Sequence, residues 1–135
     1  ADALDLAHQN AERNQVVVNW LQMNILHSSL PEHTYDLMVS NPPYVCHKEK
    51  SSMKPNVLQY EPPEALFVPD EDPLLFYRNI VSQGDRFLNK GGHLYFEVNH
   101  LYATEVALLM KQQKFQEVTI ENDLSGKPRL VWGRK

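Results

Sequence analysis

The sequence predicts an α/β fold in which a strand ends on a rigid polar turn, and three observations predict it. Runs of strand composition alternate with runs whose apolar residues recur at helical spacing, the signature of a sheet with helical crossovers. The apolar run Tyr35-Asp36-Leu37-Met38-Val39-Ser40 stops at two consecutive prolines, Pro42 and Pro43. Finally, the strand-like runs at residues 115–121 and 129–133 have no helical run between them, which predicts an antiparallel hairpin at a sheet edge.

Residues 2–14 place Ala3, Leu4, Ala7 and Ala11 at helical spacing, a stripe expected to bury against the sheet. Residues 16–23 are rich in β-branched and aromatic side chains and read as a strand, with Asn24 at its carboxyl end. After a polar linker through Pro31, Glu32 and His33 comes the run 35–40, read as a buried parallel strand that delivers a site to its carboxyl end. Residues 45–72 are the longest irregular stretch, and loops of this length in a compact domain usually face a substrate. Residues 74–88 have helical spacing, and Asn89-Lys90-Gly91-Gly92 is expected to stop that helix. A strand over 93–99 follows, with Glu97 near its carboxyl end, and then a helix over 104–113 with Val106, Leu109 and Met110 as its inner stripe.

Composition bounds the function. The chain has 135 residues, 42% of them hydrophobic, the size and core content of one globular domain. A net charge of −4 argues against a protein that grips a nucleic-acid backbone by itself. The single cysteine, Cys46, excludes an internal disulfide, points to a reducing compartment and reads as a small apolar filler beside the turn. No run approaches the roughly 20 apolar residues of a membrane span, and no signal-peptide pattern is seen at Ala1, so a soluble cytoplasmic protein is expected. The six histidines His8, His27, His33, His47, His93 and His100 form no ligand pair, and no bound metal is expected.

The turn itself carries the chemistry. Each proline ring fixes φ near about −65° and removes a backbone donor, and the residue before a proline is pushed out of the α region. Asn41 is therefore held extended with its side chain aimed, and the carbonyls of Asn41 and Pro42 face no N–H of a continuing ladder. Tyr44 adds a flat aromatic face. An amide oxygen, free carbonyls and an aromatic plane suit a planar NH2 group. Asparagine and proline are also ordinary turn formers, so the four residues alone fit a plain loop start as well.

Asn41-Pro42-Pro43-Tyr44 after a strand, Tyr60-Glu61-Pro62 followed by Ala65-Leu66, Gly91-Gly92 before a strand carrying Glu97, and a closing hairpin ending Gly133-Arg134 together resemble the HemK/PrmC family of glutamine N5-methyltransferases, which act on peptide-chain release factors. The resemblance runs over essentially the whole chain. It implies a class I methyltransferase fold, a Rossmann-like sheet of strand order 3-2-1-4-5-7-6, with S-adenosylmethionine across the strand carboxyl ends. It also implies that residues 1–135 are the C-terminal portion of a single such domain, lacking the first two strands and the glycine-rich turn and acidic residue that hold most of the cofactor. The strand edges left open are expected to seek partners, in a strand-mediated dimer or with disorder near Ala1, and the portion alone is expected to be inactive and to bind no cofactor measurably.

Carried over by position, Asn41 and Pro42 are the implied catalytic residues: the Asn41 side chain accepts from the substrate glutamine amide and the Pro42 carbonyl takes its other N–H. Pro43, Tyr44 and Glu97 complete the implied substrate site, Tyr44 packing on the amide plane and Glu97 lining the pocket. Asn24 and Asn41 are the implied cofactor contacts, Asn24 standing where the family often has an aspartate that touches the adenine amino group. Asn99 stands where a glycine is frequent. Two other functions share these features. A nucleic-acid adenine N6-methyltransferase uses the same turn on a flipped base, and a degenerate methyltransferase-like module only binds a partner.

Overall fold

The computed structural model describes residues 2–32 and 34–135, so the expectations that fall on Ala1 and His33 lie outside the described residues. Helix α1 spans Asp2–Arg13. It closes through Gln15, which takes a left-handed conformation at φ 55° while the Val16 N–H donates to the Ala11 carbonyl at 3.1 Å. Residues 16–23, expected as a strand, enter no sheet. A strand exists only through a partner whose N–H and C=O groups face it, and among the described residues this segment has none. It lies along α1 instead: Ala7 and Ala11 face Val16, Val18 and Trp20, and the His8 and Trp20 rings are 5.4 Å apart. The stripe of α1 therefore meets this segment, in place of the sheet it was expected to cover.

Strand β1 spans Tyr35–Ser40, as the apolar run predicts. The irregular stretch after it is built from short pieces: β2 (Val45–Cys46), a 3-10 helix (His47–Ser52), α2 (Pro55–Tyr60), α3 (Pro63–Leu66) and β3 (Phe67–Val68). Pro55 and Pro63 start α2 and α3 at the position where a missing N–H costs nothing, and β2 pairs with β3 in parallel. The segment leaves the main sheet and returns to it, which no periodicity in the sequence could announce.

Helix α4 (Leu75–Phe87) runs directly into β4 (Leu88–Glu97). The glycines expected to stop the helix sit inside β4. Gly91 takes φ 85° at a break in the β1–β4 register, and Gly92 lies so close to its neighbours that a Cβ there would meet the carbonyl oxygens of Asn89 at 2.9 Å and Asp36 at 3.1 Å. Helix α5 (Ala103–Gln112), β5 (Gln116–Asn122) and β6 (Pro128–Arg134) complete the chain.

The main sheet has strand order β1-β4-β6-β5, with β1 parallel to β4 and the terminal hairpin β5–β6 antiparallel at the edge. This is the 4-5-7-6 half of the order the resemblance implies. Helices α4 and α5 cover one face. Tyr77, Ile80 and Val81 of α4 and Val106, Ala107 and Met110 of α5 pack on Leu94, Phe96 and Val131 of the strands. The Tyr77 and Phe96 rings meet edge to face at 5.3 Å. Strand β1 was expected to be buried, yet Leu37 is 56% exposed and Val39 72%. Its Met38 faces the core while the alternate residues point to the uncovered face, because side chains alternate along a strand. The edge of β1 away from β4 has no strand partner among the described residues.

Candidate functional site

The β1–β4 ladder ends at Ser40 opposite Phe96, and the next four residues are the Asn-Pro-Pro-Tyr turn. Asn41 is exposed, Pro42 buried, Pro43 and Tyr44 half-buried. Two cavities meet at this turn and share Pro42 as a wall. One, of about 280 Å³, is almost wholly apolar and is lined by Ile25, Leu30, Pro42, Pro43 and Phe76 among others. The other, of about 420 Å³, has mixed character: Asn41, Pro42 and Tyr44 form one side, and Met53, Val57, Glu61, Ala65 and Leu66 from the returning segment form the other. The stretch expected to face a substrate thus closes over the turn, and Glu61, Ala65 and Leu66 are brought opposite Asn41.

Tyr44 is held at both ends. Its hydroxyl donates to Glu97 Oε1 at 2.9 Å, and its carbonyl accepts from Asn99 Nδ2 at 3.4 Å. Burial first, then the bond to Glu97, raises the Tyr44 pKa above its usual value, so the hydroxyl stays protonated and donating. Glu97 stands behind Tyr44, outside the walls of both cavities, with Arg129 at 4.0 Å and the Tyr77 hydroxyl donating to its carbonyl at 3.1 Å. Burial pushes the Tyr77 hydroxyl far above the ordinary tyrosine range. Tyr102 is pushed up to about 12, first by its contact with the Cys46 thiol, 3.6 Å away, and then by burial. Cys46 is fully buried beside the turn, in keeping with a filler.

Asn24 is exposed and its Oδ1 accepts from the Leu26 N–H at 3.0 Å, forming a turn that presents the next residue, Ile25, to the apolar cavity. That turn is stapled by Gln83 of α4, whose Nε2 donates to the carbonyls of Ile25 at 3.0 Å and Ser28 at 3.2 Å while its Oε1 accepts from the Leu30 N–H at 3.2 Å. Gln83, Asn99 and Glu49 were not legible as site residues, since polar side chains in helical and loop contexts carry no pattern of their own. The one available signal was Asn99, a side chain with both donors and acceptor at the end of a central strand. Among the described residues no group of three or more His, Cys, Asp or Glu side chains is arranged to hold a metal ion, and no helix is long and apolar enough to cross a membrane.

The chain that carries this turn and its two flanking cavities has known relatives. Over 131 residues the chain is 40% identical to the release factor glutamine methyltransferase of Bacteroides thetaiotaomicron, covering 96% of this chain and 47% of that protein. The chain resembles the release factor glutamine methyltransferase family over 96% of its length. The family's Flavobacterium psychrophilum member is 41% identical over 129 residues, covering 96% of this chain and 45% of that protein. Residues 1–66 also match the family described as the methyltransferase small domain. The chain spans about half the length of the curated relatives it matches. In fold it is similar to the crystal structure of a methyltransferase from Pyrococcus furiosus, with a TM-score of 0.65 at 14% identity over 97% of this chain and 56% of that one. A Rossmann-like methyltransferase sheet is therefore the fold to which β1, β4, β6 and β5 belong.

Proposed function

We propose that the gene product carrying this sequence methylates the side-chain amide nitrogen of a glutamine in a peptide-chain release factor, with S-adenosylmethionine as methyl donor. The observation that carries the reading is Pro42 standing between two cavities, one suited to a flat apolar group and one to a polar acceptor, in a chain 40% identical to a release factor glutamine methyltransferase. The apolar cavity fits the adenine end of the donor between Ile25 and the prolines. Its lining contains no acidic side chain for ribose hydroxyls, so these residues account for one end of that molecule. When bound, S-adenosylmethionine supplies an electrophilic methyl group.

The chain's own residues handle the acceptor. An amide nitrogen is a poor nucleophile because its lone pair is delocalised, so placement is the main lever. The Asn41 side-chain oxygen and the Pro42 carbonyl accept the two amide protons and fix the nitrogen in the plane they define. Hydrogen bonds that favour a more tetrahedral nitrogen lower the barrier further. Tyr44, pinned by Glu97, offers its ring to the amide face. The methylated nitrogen is strongly acidic and loses its proton to water, so no side-chain base is assigned. A cytoplasmic setting goes with such a substrate.

The experiment is to incubate the full-length gene product with S-adenosylmethionine labelled in the methyl group, together with either a release factor or duplex DNA. Label on the release factor is expected. Label on DNA alone would replace this reading with adenine methylation, and no label on either would leave a binding module.

A further inference from the structure

Asn99 is 6% exposed, a buried polar side chain just beyond the end of β4. Its amide stands where three segments meet. Nδ2 donates to the Tyr44 carbonyl at 3.4 Å and reaches both carboxylate oxygens of Glu49 at 3.3 Å each, while Oδ1 accepts from the Leu101 N–H at 3.1 Å. Two protons are thus shared between the acceptor turn and the 3-10 helix that opens the returning segment. Glu49 completes the link, because its Oε2 also accepts from the Cys46 N–H at 2.9 Å.

We propose that Asn99 is a positioning residue for methyl transfer, which with Glu49 latches the downstream end of the acceptor turn to the end of the central strand. The proposal rests on the reading of residues 41–44 as the methyl-acceptor turn. Strand β1 fixes only the upstream end of that turn. Downstream, Val45 lines the acceptor cavity and β2 is two residues long, pairing with the equally short β3 rather than with the main sheet. Without the latch, Tyr44 and Val45 are tied to the sheet through the Tyr44 hydroxyl at the tip of the side chain. The latch holds the backbone. A carboxylate at Glu49 and an amide at Asn99 suit this task, since the amide donates to a charged acceptor and a neutral carbonyl at once.

The test uses the full-length gene product. Asn99→Asp keeps the side-chain shape and the acceptor for the Leu101 N–H, but removes both donors and sets a second carboxylate against Glu49. Adding Glu49→Gln returns a donor to the pair and leaves an acceptor for Cys46. N99D is expected to lower kcat by about tenfold or more while KM for the release factor stays within about twofold, because a displaced wall costs rate rather than binding. Amide hydrogen exchange in residues 46–52 is expected to speed up by about tenfold or more with β4 and β6 unchanged, and N99D/E49Q, which rejoins residues 49 and 99 but returns no donor from position 99 to the Tyr44 carbonyl, is expected to regain most of the exchange protection and only part of the rate. Wild-type exchange and rate in N99D would overturn the proposal. So would a loss of exchange protection that the double variant does not recover, or faster exchange spread through β4 and β6. If the wild-type protein transfers no methyl to a release factor, the functional reading fails separately, and the exchange comparison still decides the latch.

Discussion

The Tyr44 hydroxyl donates to Glu97 Oε1 at 2.9 Å, joining the residue after the two prolines to the last residue of the central strand. The bond runs from the turn after β1 to the end of β4, the strand beside it in the sheet, so the aromatic ring is held by the sheet and not by its own loop. The family resemblance placed Glu97 in the pocket wall. Its observed place behind Tyr44 gives it work through the ring.

That relationship predicts a graded series. Glu97→Gln keeps an acceptor for the hydroxyl and should retain methyl transfer within about threefold. Glu97→Ala frees the ring and should lower kcat by about tenfold or more, the scale expected for a displaced positioning group. Tyr44→Phe keeps the ring but loses its tether and should resemble Glu97→Ala. Single-turnover rates at saturating donor and acceptor check all three.

Gly92 should be intolerant of any side chain. A Cβ there would meet the backbone oxygen of Asn89 at 2.9 Å and that of Asp36 at 3.1 Å, and backbone cannot swing aside as a side-chain tip can. Gly92→Ala should destabilise the fold by about 1–3 kcal/mol through overpacking. Gly126, at φ 81° with no atom within 4 Å of a built Cβ, should cost only its left-handed backbone, about 1 kcal/mol. Urea unfolding of the two alanine variants compares them.

How much of this was legible beforehand depends on what pattern each element carries. Strand β1 and helices α4 and α5 have clear periods, and the terminal hairpin was readable from the missing helix between its strands. Residues 16–23 have strand composition, but composition does not supply a partner, and no strand formed among the described residues. Gly91 and Gly92 look like helix punctuation until the close approach of Asp36 is seen. In the site, Asn41, Pro42 and Tyr44 were visible because proline constrains its neighbours locally. Asn99 and Glu49 were not, because their meeting depends on where two distant segments land.

Asp123 gives the β5–β6 turn a defined acid dependence. The Ser125 hydroxyl and the Lys127 and Ser125 N–H groups donate to its carboxylate and hold its pKa at about 2, below the ordinary 3.8. A depressed pKa means that the stabilisation is fully present above about pH 4 and is lost as pH falls toward about 2. The amide resonances of Ser125 and Lys127 should titrate with a midpoint near 2, and Asp123→Asn should abolish that titration. A midpoint near 3.8 would show the turn's bonds to be absent in solution.

The central claim is that Asn41 and Pro42 hold a glutamine amide for methylation. Its most direct test is mass spectrometry of a release factor after incubation with S-adenosylmethionine and the full-length gene product, with Asn41→Ala in parallel. One methyl group on a glutamine side-chain nitrogen, lowered by about a hundredfold or more in the variant, is the predicted result. Methylation that persists at the wild-type rate in Asn41→Ala, or a methyl group on any other kind of side chain, would contradict it.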